Sequence, residues 1–370
     1  MRETRVSPRG RSMPEQPAAG EMNGNGMLQN TNSRDAGLDV VRAAAIVQVL
    51  IIHTASMGLT TRPGSFDWWG ALVWGSAARP AVPLFFMCSG ALMLCRDITP
   101  KRILTHNLPR ILAAMLVWSF LYLMLDRELT PAALWDAVKR TVLLQHEFHF
   151  YYLHILLLVY AFLPAVRVFV RGASRRELEY LLLLWFVTGI LIPLLRYYRP
   201  FTLVYQIDLW YKMNLAYSAI GYAVLGHYLR QYGGTLRRLW YYLAFWAGLA
   251  FTFAGCAVTS LRAGALNENF LEGMSPGPML MALGLFGLIL GRKAWPRPVI
   301  LVTGRLARAA FCVYLVHILF YKHIFLPLGI SPGVSPCALT SPAVALSLLA
   351  LSWLAWELLH RIPVVKRYLV

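Results

Sequence analysis

The sequence predicts an all-α fold, a polytopic integral membrane bundle of about ten transmembrane helices with both termini in the cytoplasm. The chain has 370 residues, of which 58% are hydrophobic and 14% charged, whereas a soluble domain carries roughly 45–50% apolar and about 25% charged residues. From Leu38 onward, apolar windows of about 17–22 residues follow one another, each long enough to cross the hydrocarbon layer as a helix. The net charge of +18 is distributed unevenly between the intervening turns.

The chain divides into three predicted regions. Residues 1–37 are polar and hold no apolar run, so we expect a disordered cytoplasmic tail. Residues 38–360 form the transmembrane domain, and residues 361–370 form a short cytoplasmic tail. The predicted spans are 38–59, 80–95, 104–125, 150–166, 179–195, 213–229, 239–260, 274–291, 306–325 and 343–359. The outer segments 60–79, 126–149 and 326–342 are the connections with room for further structure.

The basic residues orient the predicted bundle. Of the 35 Lys and Arg residues, 23 fall on the side of the termini and ten on the opposite side. This asymmetry follows the positive-inside rule and predicts cytoplasmic termini. It also excludes a nucleic-acid-binding face, which would need basic and aromatic residues clustered on one folded surface. The remaining two, Arg42 and Arg110, are assigned to neither side because they fall within spans.

The first span carries three ionisable residues, Asp39, Arg42 and His53, where the bilayer makes such groups costly and functional candidates by default. Arg42 and His53 are eleven residues apart, which is about 20° from the same helix face and roughly 16–17 Å along the axis. The sequence therefore predicts a polar track. The alternatives are an Arg42 that extends to the headgroups and pairs with Asp39, and a His53 that is neutral and buried.

Other spans carry isolated polar groups. Ser89 precedes Gly90 in the second span, where the alternative is small-residue helix packing. His154 and Tyr160 lie in the fourth span, and Tyr314 and His317 lie one turn apart in the ninth. The five cysteines show no metal-ligand or disulfide spacing, and we expect no metal site. His146 and His149 alone are too few ligands for zinc. Trp68, Trp69 and Trp74 suit an interfacial belt better than sugar stacking.

Five segments, in order, resemble the membrane-bound acyltransferase family 3, and its surface-polysaccharide O-acetyltransferase branch in particular. Residues 38–53 show a Leu-Asp-x-x-Arg start with an Arg-x10-His spacing, and residues 82–90 read Val-Pro-Leu-Phe-Phe-Met-x-Ser-Gly. Residues 150–164 are similar to the fourth-helix pattern, although the usual Trp-Phe-Leu-Tyr is altered. Residues 221–226 match Gly-Tyr-x-x-x-Gly, and residues 314–317 match Tyr-Leu-x-His.

The resemblance implies an enzyme of the bacterial inner membrane. It would transfer an acyl group, usually acetyl, from cytoplasmic acyl-CoA to a hydroxyl of an extracytoplasmic surface glycan or glycolipid, with no permanently bound cofactor. His53 suits the general base because neutral imidazole is present at neutral pH. The expected roles are catalytic for His53, His317 and Ser89, CoA-binding for Arg42, Asp39, Arg96 and Arg102, and acceptor-binding for Tyr314, His154 and Tyr160.

Two mechanistic and two functional alternatives stay open at the level of sequence. Acyl transfer proceeds either directly or through a covalent acyl-enzyme on Ser89 or His53. A proton-coupled transporter or flippase for a glycan or glycolipid is the rival function, and a non-catalytic scaffold is the other. The identity of the acceptor, the acyl chain length and the oligomeric state leave no signature in the sequence.

Overall fold

The structure is a computed structural model, which describes residues 35–126, 130–145, 147–198, 215–331 and 334–370, without the side chains of 215–218. The chain divides into two units, Met1–Asp35 and Ala36–Val370, and the helices described below lie in the second. Within the described ranges these are α1 Ala36–Leu59, α2 Phe66–Ala78, α3 Ala81–Met93, α4 Pro100–Leu125, α5 Pro131–Val142, α6 Phe148–Gly172, α7 Arg175–Leu195, α8 Leu215–Tyr232, α9 Arg238–Ala263, α10 Pro276–Leu290, α11 Arg297–Phe325, α12 Cys337–Leu359 and α13 Pro363–Tyr368.

Eight of the described helical segments are long and apolar enough to cross a bilayer. They comprise α1, the continuous α2–α3 segment, α4, α6, α7, α9, α11 and α12. The predicted fold class is confirmed: the protein is a multi-pass membrane helical bundle. Helices also occupy the other two predicted positions. Helix α10 has only 15 residues, and α8 has 18 residues and follows directly on a part of the chain outside the described residues.

Two outer segments left open by the sequence contain helices. Helix α2 lies within 60–79, so the second apolar segment runs from Phe66 to Met93 and begins earlier than the predicted 80–95. Its start is fixed by Ser65, whose Oγ accepts a hydrogen bond from the Trp68 amide at 3.2 Å, as an N-cap does. Helix α5 occupies part of 126–149 and has a capping threonine, Thr130. The sequence windows missed α2 because its polar neighbours lowered the local hydropathy.

Helix α1 is central in the bundle, because it packs against α2, α3, α10, α11 and α12. Its buried face includes Leu38, Ile46 and Leu50. The helix predicted to carry the polar track is therefore surrounded by other helices. Arg42 and His53 lie on a helix that contacts protein on several sides, so they are not exposed to lipid tails alone.

Helices α3 and α8 cross with their backbones in contact. A Cβ added at Gly90 would lie 1.8 Å from the Ala223 carbonyl oxygen, and one at Gly226 would lie 2.1 Å from the Met87 carbonyl oxygen. Small residues are what allow such close approach in membrane bundles. This crossing fixes the position of Ser89, the neighbour of Gly90.

Candidate functional site

Three histidine rings meet at one end of the bundle. His53 from α1, His149 from the first turn of α6 and His317 from α11 form this histidine cluster. The ring centroids are 5.0 Å apart for His53 and His317, 5.3 Å for His149 and His317, and 6.3 Å for His53 and His149. His149 and His317 are fully buried, whereas His53 is partly exposed. The structure therefore brings together two of the predicted catalytic residues and adds a third histidine.

The hydrogen bonds of His317 fix which of its nitrogens carries a proton. Its Nδ1 lies 2.8 Å from the carbonyl oxygen of Tyr314 and 3.1 Å from that of Val313. Carbonyl oxygens only accept hydrogen bonds, so neutral His317 carries its proton on Nδ1 and leaves a lone pair on Nε2. That Nε2 is buried and has no partner among the described residues.

His149 has a more unusual environment, since neither of its ring nitrogens has a hydrogen-bond partner within the described part of the chain. Its backbone is nevertheless held firmly. The Tyr314 hydroxyl donates to the His149 carbonyl. Glu147, two residues earlier in the chain, forms an ion pair with Lys322 of α11 at 2.7 Å. The ring of His149 is thus positioned at the cluster with a donor and an acceptor both unused.

Tyr122 of α4 forms hydrogen bonds with the turn of α11 that carries His317. Its buried hydroxyl donates to the Leu315 carbonyl oxygen at 2.9 Å and accepts from the Leu319 amide at 2.9 Å. These two backbone groups are four residues apart and flank His317. A hydroxyl between them sets the geometry of this turn, one turn before the π-helical segment Tyr321–Phe325. Tyr122 is therefore a positioning residue for His317.

A cavity of about 410 Å³ lies between α1, α3, α4, α6 and α11, and we call it the central cavity. Tyr314, which lines it, also contacts the His149 ring at 5.7 Å and the His317 ring at 6.2 Å. The cavity therefore ends beside the histidine cluster. The residues of the cavity that carry functional groups are Arg42, Ser89, Arg102, His106, Asn107, Arg110, Tyr152, Tyr160, Arg308 and Tyr314.

Five of the predicted site residues line this cavity: Arg42, Ser89, Arg102, Tyr160 and Tyr314. The Ser89 Oγ donates to the Phe85 carbonyl oxygen at 3.0 Å, so its proton is already committed to the helix backbone.

Three predicted site residues line neither the cavity nor the cluster. Asp39 is buried, and its carboxylate lies near Gly304, where an added Cβ would be 3.9 Å from Oδ2. Arg96 is exposed beyond the end of α3, and His154 is half-buried on α6. The tryptophans of α2 pack inside the protein: Trp68 is fully buried, and Trp74 Nε1 donates to the Ala338 carbonyl oxygen at 2.7 Å.

Sequence reasoning missed His149, Tyr152, Arg110 and Arg308. Arg110 did give a signal, because it is a basic residue inside a predicted span, and such residues are functional candidates. In the sequence, His149 stands out through its spacing from His146, which lies outside the described residues, and through its place just before the fourth predicted span. Within the described residues no group of three or more His, Cys, Asp or Glu side chains is arranged to hold a metal ion, and none of the five cysteines there forms a disulfide.

The fold and site together define a multi-pass membrane protein with a cation-lined internal cavity that ends at a histidine cluster. The model of acyltransferase family 3, described as an acyltransferase domain, matches residues 35–357. The chain therefore belongs to this family, and the protein is a membrane acyltransferase. No curated protein and no solved structure matches the chain.

Proposed function

We propose that the protein is an O-acyltransferase that moves an acetyl group from cytoplasmic acyl-CoA to a hydroxyl of an extracytoplasmic surface glycan or glycolipid, in the bacterial inner membrane. The observation that carries the proposal is the end-to-end arrangement of the site. Basic residues line the central cavity near the start of α1, and the histidine cluster lies near the end of the same helix.

The donor side of the proposal rests on charge. Arg42 and Arg102 line the central cavity from α1 and α4, and guanidinium groups pair well with phosphate oxygens. The phosphates of acyl-CoA would bind here, and its pantetheine arm would extend along the cavity toward Tyr314. Arg42 and His53 are separated by about 16–17 Å along the helix axis, so a thioester next to His53 requires an extended arm.

In the proposed reaction the acetyl group passes directly from the thioester to the acceptor hydroxyl at the histidine cluster, without an acyl-enzyme. His53 Nε2 or Nδ1 removes the proton of the acceptor hydroxyl as its oxygen attacks the thioester carbonyl carbon. The carbon–sulfur bond then breaks, CoA leaves as the thiolate, and the proton held by His53 returns to that sulfur. The unused N–H of His149 is suited to donate to the oxyanion that forms on the carbonyl oxygen. The commitment of the Ser89 proton to Phe85 favours this route over an acyl-serine.

A transfer assay tests the proposal. The purified protein in nanodiscs is given radiolabelled acetyl-CoA and a surface-glycan extract, and label in the glycan is measured. We expect His53→Ala to abolish transfer, because the base is lost, while the protein remains folded. His227→Gln is the matched control, since this buried histidine of α8 contacts Cys95 at 3.4 Å, outside the cavity and the cluster.

Retention of transfer by His53→Ala would refute the base assignment. Movement of the glycan across vesicles by the wild-type protein, with no acetylation, would refute the acyltransferase proposal and favour the transporter.

A further inference from the structure

A second cavity opens beside the central one, at the end of the bundle away from the histidine cluster. It has a volume of about 580 Å³, and we call it the basic basin. Arg110 and Arg308 line both cavities, so the two adjoin at these residues. The basin extends outward from there to Arg305, in the third turn of α11, and to Lys366 of α13.

The basin has a strong excess of positive charge. Four basic side chains line it, Arg110, Arg305, Arg308 and Lys366, against one acidic side chain, Glu357, and the last residue of the chain, Val370. Glu357 Oε1 accepts a hydrogen bond from Trp353 Nε1 at 3.3 Å. The ion pairs found among the described residues lie elsewhere and involve none of the four cations. Arg110 Nη2 donates a hydrogen bond to the main-chain oxygen of Val370, which also lines the basin, at 2.8 Å. The other three cations still outnumber the acidic side chain of the basin, which favours a ligand with several negative charges.

The basin also has a flat aromatic wall. The rings of Trp356 and His360 are stacked, with centroids 4.4 Å apart and planes 13° apart. The orientation of His360 is fixed because its Nδ1 lies 2.8 Å from the Trp356 carbonyl oxygen. Trp356 is buried, and half-buried His360 covers it. A planar heterocycle can stack on such a wall, in the way that bases stack on aromatic side chains.

The distance from the basin to the cluster suits a long, extended ligand. Arg305 and His317 are twelve residues apart on α11, which corresponds to about 18 Å along the helix axis. Arg308, at the junction, is three residues nearer the cluster. A ligand with one phosphate and a heterocycle in the basin would reach the histidines only through a chain that fills the central cavity, where Arg42 and Arg102 are available for its other phosphates.

We propose that the basic basin is the binding site for the 3′-phosphoadenosine portion of acyl-CoA, with Arg305 and Lys366 contacting the 3′-phosphate and the His360–Trp356 wall contacting the adenine. This proposal rests on the proposed use of acyl-CoA and deepens it, because it assigns the nucleotide to residues outside the central cavity. The predicted donor selectivity is for CoA over dephospho-CoA, which lacks the 3′-phosphate.

The test removes a basic side chain from the protein and the 3′-phosphate from the ligand, separately and together, and compares the binding affinities. Affinities for CoA and dephospho-CoA are measured by calorimetry on the full-length protein in nanodiscs of neutral lipid. Wild-type protein is compared with Arg305→Gln and Lys366→Gln, which alter the basin but not the central cavity. Arg297→Gln and Arg361→Gln are the matched controls, since both are exposed basic residues of the same end of the bundle that do not line the basin.

We expect wild type to bind CoA about tenfold more tightly than dephospho-CoA, which corresponds to about 1.4 kcal/mol. Arg305→Gln and Lys366→Gln should each remove most of this preference, and the controls should retain it. If the basin variants lose affinity equally for CoA and dephospho-CoA, or lose affinity for neither, the basin assignment is overturned while the acyltransferase proposal remains intact. Failure of wild type to bind either ligand would instead overturn the use of acyl-CoA itself.

Anionic headgroups offer the same phosphate chemistry as the nucleotide, and a second arm separates the two. The CoA titration is repeated in nanodiscs containing phosphatidylglycerol. We expect the preference for CoA over dephospho-CoA to persist. If the basin variants change only the association with anionic lipid and leave the nucleotide affinities unaltered, the basin is a lipid-headgroup site and the proposal is wrong.

Discussion

Replacing His149 with leucine should make the protein more stable and less active. The ring is 1% exposed, and neither nitrogen has a partner among the described residues. A buried polar group left unsatisfied costs about 1–3 kcal/mol, and a neutral imidazole has one donor and one acceptor to satisfy. Leucine removes both and has a similar volume, and such a change of shape costs less than about 1.5 kcal/mol. The two groups together account for about 2–6 kcal/mol, less up to about 1.5 kcal/mol for the change of shape, so we expect a net stabilisation of at least about 0.5 kcal/mol.

The assay pairs thermal unfolding with transfer. The apparent Tm of His149→Leu in nanodiscs should rise by a few degrees, since about 1 kcal/mol shifts Tm by roughly 2–4 °C in domains of 150–250 residues and by less in larger chains. Acetyl transfer should fall, because the oxyanion loses a donor worth about 3 kcal/mol. Phe150→Leu is the control: Phe150 is fully buried on the same turn, and its truncation should lower the Tm. A lowered Tm for His149→Leu, or a transfer rate of this variant equal to that of the wild type, would contradict the prediction.

Two further variants test the supports of the site. Gly90→Ala should lower the apparent Tm, because its Cβ would lie 1.8 Å from the Ala223 carbonyl oxygen and overpacking costs about 1–3 kcal/mol or more. Gly172→Ala is the control, because no atom lies within 4 Å of its added Cβ, and it should change the free energy of unfolding by less than about 1 kcal/mol. Equal changes in Tm for the two variants would contradict the close crossing of α3 and α8. Tyr122→Phe should remove the bridge between Leu315 and Leu319, cost about 1–3 kcal/mol and lower kcat more than it raises KM for acetyl-CoA. An unchanged kcat would show that Tyr122 does not position His317.

The fold class could be predicted from the sequence because the bilayer imposes its own length scale on apolar segments. The Arg42–His53 track was visible for a similar reason, since helical periodicity relates two residues of one helix. His149 could not be found in this way. It reaches the cluster from a different helix, through the contacts of Tyr314 with its carbonyl and of Lys322 with Glu147. Such contacts between distant segments depend on how the helices pack, and they produce no periodic pattern in the sequence.

The basic residues gain a second role from the structure. Arg305, Arg308 and Lys366 belong to the set whose excess predicts the cytoplasmic side, and a purely topological role would be met by cations scattered over that surface. Instead these three line one concavity with Arg110, which lies within the apolar part of α4. The histidine cluster lies at the other end of α11. Under the proposed function and with the predicted orientation, a polyanionic donor would enter from the cytoplasm and meet the acceptor at the far end. The proposed direction of transfer would then follow from the same charges that orient the protein.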